Sequence, residues 1–269
     1  MDLQLKDKVA IVTAASKGLG AATALRLAEE GARLVVVARS GANLKPTTDL
    51  IAQHSDVLPV VADVAQPDAA ESIAKAAVDR FGRVDILIIN AGGPPAGKFL
   101  DLKIEQWEAS VQLTLMSAVR LCHAVVPHLL KNQAGTAGAG LRGTVAALTS
   151  MTVRQPIGNL ILSNSIRLAV VGLMRTLADE LGPQGIRFNS ILPGWTATSR
   201  VEELLAGRAR TNATSVEVER GKITADIPLG RMATPDEFAD ALTWLVSPRA
   251  SYVHGTTLLV DGGFVKGTI

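Results

Sequence analysis

Short apolar runs rich in β-branched residues alternate along the chain with stretches of helical spacing. The runs are Val9–Thr13, Leu34–Ala38, Val57–Ala62, Ile86–Ile89, Thr144–Thr149, Ile186–Leu192 and Thr256–Val260. Several are apolar at consecutive positions, the pattern of parallel strands covered on both faces. Between the first two, Ala21, Ala24, Leu25 and Ala28 keep helical spacing while Arg26, Glu29 and Glu30 face outward. Gly31 stands where a C-terminal cap ends that helix. Farther on, Ile166, Ala169, Val170, Leu173 and Leu177 mark one face of another helix, ended by Gly182-Pro183. Strand, helix, strand in repetition predicts right-handed crossovers and a seven-stranded, mainly parallel sheet with helices on both faces. The expected fold class is therefore α/β, a single doubly wound domain over residues 1–269. No internal repeat or linker divides it. Asn132–Gly140 reads as a small-residue surface loop, and Ser199–Asp226 as a long polar excursion suited to a substrate lid.

Composition narrows the setting. Hydrophobic residues make up 48% and charged residues 19% of the 269 positions, enough for a sizeable core. A formal net charge of +2 gives no pull towards nucleic acid or anionic membrane. Cys122 is the only cysteine, so no intrachain disulfide forms and a reducing, cytoplasmic setting is expected. Met1–Lys8 lacks the features of a secretory signal, and no apolar run approaches the ~20 residues that span a bilayer. The four histidines show no metal-ligand spacing, so no metal is expected.

The first strand runs into Thr13-Ala-Ala-Ser-Lys-Gly-Leu-Gly20, which leads directly into the first helix. Small residues there let the backbone approach a diphosphate, and the helix N-terminus supplies free N–H groups and a favourable dipole. A glycine-rich turn by itself also serves any tight strand-to-helix connection. Its place after a buried strand and before an amphipathic helix points to a dinucleotide site of Rossmann type. The second strand ends Val37-Ala-Arg-Ser40, without the acid that reads a free ribose 2′-hydroxyl. Arg39 and Lys17 instead suit a 2′-phosphate, which makes NADP(H) the expected cofactor.

Five segments, in order over the whole length, resemble the short-chain dehydrogenase/reductase family. TAASKGLG resembles its TGxxxGxG, with Ala14 where the first glycine usually sits, and includes Ser16, Lys17, Gly18, Leu19 and Gly20. Asp63-Val64 ends the third strand as the family's adenine-contacting Asp does. Ile89-Asn90-Ala91-Gly92 resembles NNAG. Pro193-Gly194 with Thr196 and Thr198 resembles the PGxxxT segment that holds carboxamide and phosphates, and Asp261-Gly-Gly263 the closing DGG.

The resemblance implies a hydride-transferring oxidoreductase on a small carbonyl/alcohol or related enone or imine substrate. It also implies a homodimer or homotetramer packed through Glu105–Lys131 and Ser163–Leu181. In the family a Ser polarises the carbonyl, a Tyr exchanges the proton, a Lys four residues on binds the nicotinamide ribose, and an Asn supports a relay. Here Ser150 matches the Ser, but the YxxxK segment reads Ser163-Asn-Ser-Ile-Arg167, aligned by the following Arg167–Leu173 that resembles KAAVxGL. Thr114 takes the Asn position. The single tyrosine, Tyr252, lies beside the last strand. Positions 163 and 167 are one helical turn apart and share a face. Arg167 binds ribose hydroxyls or steadies an alkoxide but is a poor acid at neutral pH. Ser163 reads equally as a helix N-cap, Thr114 as packing, and Asn164 as an alternative substrate partner. Two functions fit: an NADP(H)-dependent oxidoreductase with an altered site, or a catalytically silent NADP(H)-binding sensor or scaffold. Nothing in the charge pattern supports nucleic-acid binding.

Overall fold

The computed structural model describes residues 1–133 and 140–267. Its strands are β1 (Val9–Thr13), β2 (Arg33–Ala38), β3 (Val57–Val61), β4 (Ile86–Ile89), β5 (Gly143–Leu148), β6 (Ile186–Pro193) and β7 (Thr257–Val260). Each lies within one residue of the apolar run that predicts it. They form one sheet in the order β3-β2-β1-β4-β5-β6-β7, with every neighbouring pair parallel. Of the surface loop expected at Asn132–Gly140, positions 134–139 fall outside the described residues.

Strand alternation divides the core into two layers. Ile11, Val35, Val37, Leu87, Ile89, Val145, Ala147 and Phe188 face α3 (Ala69–Phe81), α5 (Ser117–Lys131) and α6 (Ile161–Leu181). Ala10, Val12, Leu34, Val36, Ile86, Ile88, Ala146, Leu148 and Ile191 face α1 (Gly18–Glu29), α2 (Gly41–Ile51) and α9 (Pro235–Val246). Helix α1 ends as its glycine requires: Gly31 takes φ 81°, and the Ala32 N–H returns to the Leu27 carbonyl at 3.0 Å.

Three expectations change. On α6 the buried ladder is Ile166, Val170, Met174 and Ala178; Leu173 and Leu177 flank it and Ala169 is exposed. The helix sits on the sheet along its i, i+4 row, which runs one position aside of the predicted face. The Ser199–Asp226 excursion is two helices, α7 (Ser199–Asn212) and α8 (Val216–Asp226). They bury Val201, Leu205 and Ile223 against Met151, Ile157 and Trp195, beside the end of β6. Its charges pair with one another, Arg220 with Glu202 at 2.7 Å and Lys222 with Glu219 at 2.6 Å, so a polar sequence still yields an ordered pair. Finally, Ile104–Lys131, which comprises α4 (Ile104–Val111), a π-helical turn and α5, reaches the length and apolarity of a membrane span, as does Ile161–Gln184, with mean hydropathies of 1.4 and 1.3. Interspersed polar residues hide this from a count of continuous apolar runs. Both segments turn apolar faces onto the sheet.

One buried cation locks the C-terminal third. Arg187 of β6, 3% exposed, donates to the carbonyls of Leu245, Ser247, Ala250 and Val253 at 3.0–3.1 Å. These include the unpaired carbonyls at the end of α9. Burial lowers the Arg187 pKa to about 10, so the group stays charged at neutral pH. Arg187→Leu strands four carbonyls at once and is expected to lower stability by about 3 kcal/mol in urea unfolding. An unchanged midpoint would show that water replaces the guanidinium at no cost.

Candidate active site

A crevice of about 630 Å³ opens at the C-terminal edge of the sheet, between β1 and β4, where the strand order reverses. The β1–α1 turn forms its floor. Ala14, where the resembled family has glycine, takes φ 49°, and Gly18 takes φ 58°. A left-handed alanine costs roughly 1–2 kcal/mol, strain that the surrounding bonds must hold. They are close: Thr13 Oγ1 donates to the Asn90 carbonyl at 2.7 Å and accepts from the Asn90 N–H at 2.9 Å, fastening β1 to β4. Asn90 Nδ2 reaches the Ala14 carbonyl at 3.4 Å. A Cβ on Gly20 would lie 2.4 Å from that carbonyl and 2.8 Å from Asn90 Nδ2. Thr13 and Gly20 thus shape the turn from behind, while Ala14, Ser16, Lys17, Gly18 and Leu19 line the crevice.

On the β2–β3 side stand Arg39, exposed at the end of β2, with Asp63 and Val64 after β3. Asp63 Oδ1 accepts from the Ala65 N–H at 3.1 Å, which fixes its loop. On the other side, Asn90, Ala91 and Gly92 face Pro193, Gly194, Thr196 and Thr198 across the opening. Gly194 is forced by contact, since a Cβ there would meet Asp261 Cα at 2.5 Å. Thr198 caps α7 by accepting from the Val201 N–H, and its methyl lies 3.6 Å from where a Gly18 Cβ would stand. Asp261 holds the following turn, accepting from the N–H groups of Gly263 and Val265, and lies outside the crevice lining.

Three hydroxyls and a guanidinium meet over the ends of β5 and α6. Ser150 Oγ accepts from the Thr152 N–H at 3.2 Å, which leaves its own hydrogen free to donate. Thr152 and Ser163, both buried, share a hydrogen bond of 3.2 Å between their hydroxyls. Ser163 is therefore not an N-cap: α6 starts at Ile161, its N-cap is Leu160, and no side chain caps it. Arg167 donates through Nη1 to the carbonyls of Leu148 and Thr149, at 3.0 and 2.9 Å. Burial first, and then the Arg200 charge, lower its pKa to about 10, still a full cation at neutral pH. Such a set stabilises negative charge on an oxygen but contains no good proton donor.

Thr114 stands apart. It is buried in the π-helical turn Gln112–Met116 between α4 and α5, its hydroxyl without a partner, and Leu113 lines the crevice instead. Asn164 is corrected as a substrate partner, because its amide is consumed by the Ile157 backbone in both directions. Tyr252 is fully exposed and Cys122 is buried, its thiol pushed up to about 12. Among the described residues no group of His, Cys, Asp or Glu is arranged to hold a metal. Thr152, Arg200 and Glu203 line the crevice without standing in any sequence motif. Thr152 is signalled only by its hydroxyl two residues after Ser150.

The class of protein is thereby defined, and comparison with known proteins agrees. The chain belongs to the short-chain dehydrogenase/reductase family, and residues 13–265 match the family model described as enoyl-(acyl carrier protein) reductase. It is 34% identical to L-rhamnose 1-dehydrogenase (NAD(P)(+)) of Azotobacter vinelandii, over 96% of this chain and 97% of that protein. It is also 34% identical to a 3-oxoacyl-[acyl-carrier-protein] reductase of Synechocystis, over 97% and 98%. L-sorbose reductase from Gluconobacter frateurii, solved with NADPH and L-sorbose, superposes with a TM-score of 0.90 at 30% identity, covering 99% of this chain and 100% of that one.

The turn geometry carries its own test. Gly20→Ala drives a methyl into the Ala14 carbonyl and the Asn90 amide, and is expected to destabilise by about 2 kcal/mol in urea. A variant as stable as the parent would mean that the β1–α1 turn is not held this tightly.

Proposed function

We propose that the protein is an NADP(H)-dependent oxidoreductase that transfers hydride to or from a carbonyl/alcohol pair, or a related enone or imine. In this reading Ser163 and Arg167 occupy the positions of the family's Tyr and Lys. The observation that carries it is Arg167, a permanent cation anchored on the β5 carbonyls beside Ser150, Thr152 and Ser163. The turn fits a dinucleotide: two left-handed residues and the crowded Gly20 bring bare backbone to the mouth of α1, where a diphosphate meets N–H groups. Arg39 and Lys17 supply the charge for a 2′-phosphate, and the NADPH in the sorbose reductase structure supports the same choice.

The reduced nicotinamide would supply the hydride. At the carbonyl oxygen the Ser150 hydroxyl would donate and Arg167 would balance the developing charge. Arg167 would also hold the cofactor's ribose hydroxyls with its remaining N–H groups. The Thr152–Ser163 pair holds the Ser163 hydroxyl in place, and the proton comes from water, because neither a serine nor a guanidinium is acid enough at neutral pH.

NADPH is expected to bind at least tenfold more tightly than NADH, about 1.4 kcal/mol, and Arg39→Asp to erase or reverse the preference. Fluorescence titration with equal affinities would overturn the choice of cofactor. Arg167→Ala is expected to weaken NADPH and cut turnover roughly a hundredfold. Ser150→Ala should cut turnover similarly with NADPH affinity nearly intact, and Ser163→Ala should do less than either. Steady-state assay of a carbonyl, enone and imine panel decides: NADPH binding with no turnover of any member would make the protein a silent sensor or scaffold.

A further inference from the structure

The β5–β6 side of the crevice holds two guanidinium groups, and only Arg167 has a role so far. Arg200 lies in the first turn of α7 and crosses to the opposite wall. Its Nη2 donates to the Pro94 carbonyl at 2.7 Å, and its Nη1 stands 3.5 Å from Glu203. Its Nε lies against Gly93, where a Cβ would come within 2.8 Å, so a side chain there would push the guanidinium aside. The side chain lines the crevice and stays 39% exposed.

The charges lining the crevice are Lys17, Arg39, Asp63, Arg167, Arg200 and Glu203. On the reading above, Lys17 and Arg39 answer the 2′-phosphate, Asp63 lies with them at the β2–β3 side, and the diphosphate takes the α1 N-terminus. That leaves Arg167 and Arg200 facing Glu203 alone, and Glu203 also stands 3.9 Å from Lys17. Like charges in one partly desolvated cleft repel, and an oxyanion placed with them relieves the repulsion. The adjoining wall is apolar, with Met151, Ile157, Leu160 and Leu204. A guanidinium fork beside an apolar wall suits a ligand with an oxyanion at one end and a hydrocarbon body.

Resting on the oxidoreductase reading of this crevice, we propose that Arg200 determines specificity by selecting carbonyl or alcohol substrates that carry an oxyanion, a carboxylate or a phosphate. Arg200 binds the charged group, and the apolar wall takes the body. The reacting carbon is then left to Ser150 and Arg167.

The test is binding to the NADPH-saturated protein, measured by calorimetry. The probes are benzoylformate against its methyl ester, and glycerone phosphate against glycerone. At least one charged probe is expected to bind tenfold or more tightly than its neutral partner, and the tighter pair names the anion. Arg200→Gln should remove that difference while the affinity for NADPH alone moves less than twofold. Arg200→Lys should restore part of it. Glu203→Gln, which keeps Arg200 and removes its competing acid, should tighten the charged probe only. Equal binding of charged and neutral probes, including no binding of either, would overturn the proposal. So would an Arg200→Gln variant that weakens NADPH and both probes alike, which would make Arg200 a cofactor ligand. Charged probes that bind selectively without turnover sustain the role of Arg200 and count against the oxidoreductase reading; failure of NADPH to bind counts against that reading alone.

Discussion

The crowding of the β1–α1 turn against β4 is the constraint on which the rest of the site depends. Gly20 leaves no room for even one methyl between the Ala14 carbonyl and the Asn90 amide, and the Thr13 hydroxyl bonds Asn90 in both directions. Those contacts hold Ala14 in a left-handed conformation that an alanine does not choose unaided. They also set the start of α1, and with it the direction of the N–H groups that an anion meets. Because β1 and β4 are neighbours at the switch point, the same bonds place Asn90, Ala91 and Gly92 on the far wall. The two walls of the crevice are therefore one object.

Within that object stand fixed hydrogen-bond donors and one anchored cation. A phenol tuned by a lysine moves a proton; Arg167 and the hydroxyls of Ser150, Thr152 and Ser163 hold donors still. Arg167 keeps its proton even though burial and Arg200 both press against it, since about 10 remains far above neutrality. Preorganised charge of this kind lowers the cost of a developing oxyanion without any reorganisation at the moment of hydride transfer.

The α7–α8 pair connects the two ends of the crevice through charge. Glu203 stands 3.9 Å from Lys17, in the β1–α1 turn, and 3.5 Å from Arg200, on the crevice wall. Both ion pairs are long and partly exposed, so each is weak and open to competition from a stronger anion. By contrast, Val201, Leu205 and Ile223 anchor the same helices in an apolar cluster with Trp195. The backbone of the two helices is packed in place, while their charged fringe stays partly exposed.

Strand runs, helix stops and the glycine-rich turn were legible from the chain alone, because burial on both faces and tight turns restrict residue type locally. Ser150, Ser163 and Arg167 were marked by the resemblance to the family's motifs, and all three line the crevice. The partners of those residues were not legible. Ser163 meets Thr152 across the loop between β5 and α6, while Arg200 meets Pro94, and Arg187 gathers four carbonyls from a distant helix end and the turn after it, through contacts between segments far apart in sequence. Asn164 shows the same limit: its position beside Ser163 suggested a ligand, and only tertiary packing spent its amide on Ile157. Periodicity and turn chemistry are properties of neighbours along the chain, so the sequence determined the elements and their order. Hydrogen-bond partners and like-charge encounters depend on where the sheet brings those elements together, and that only the tertiary structure decided.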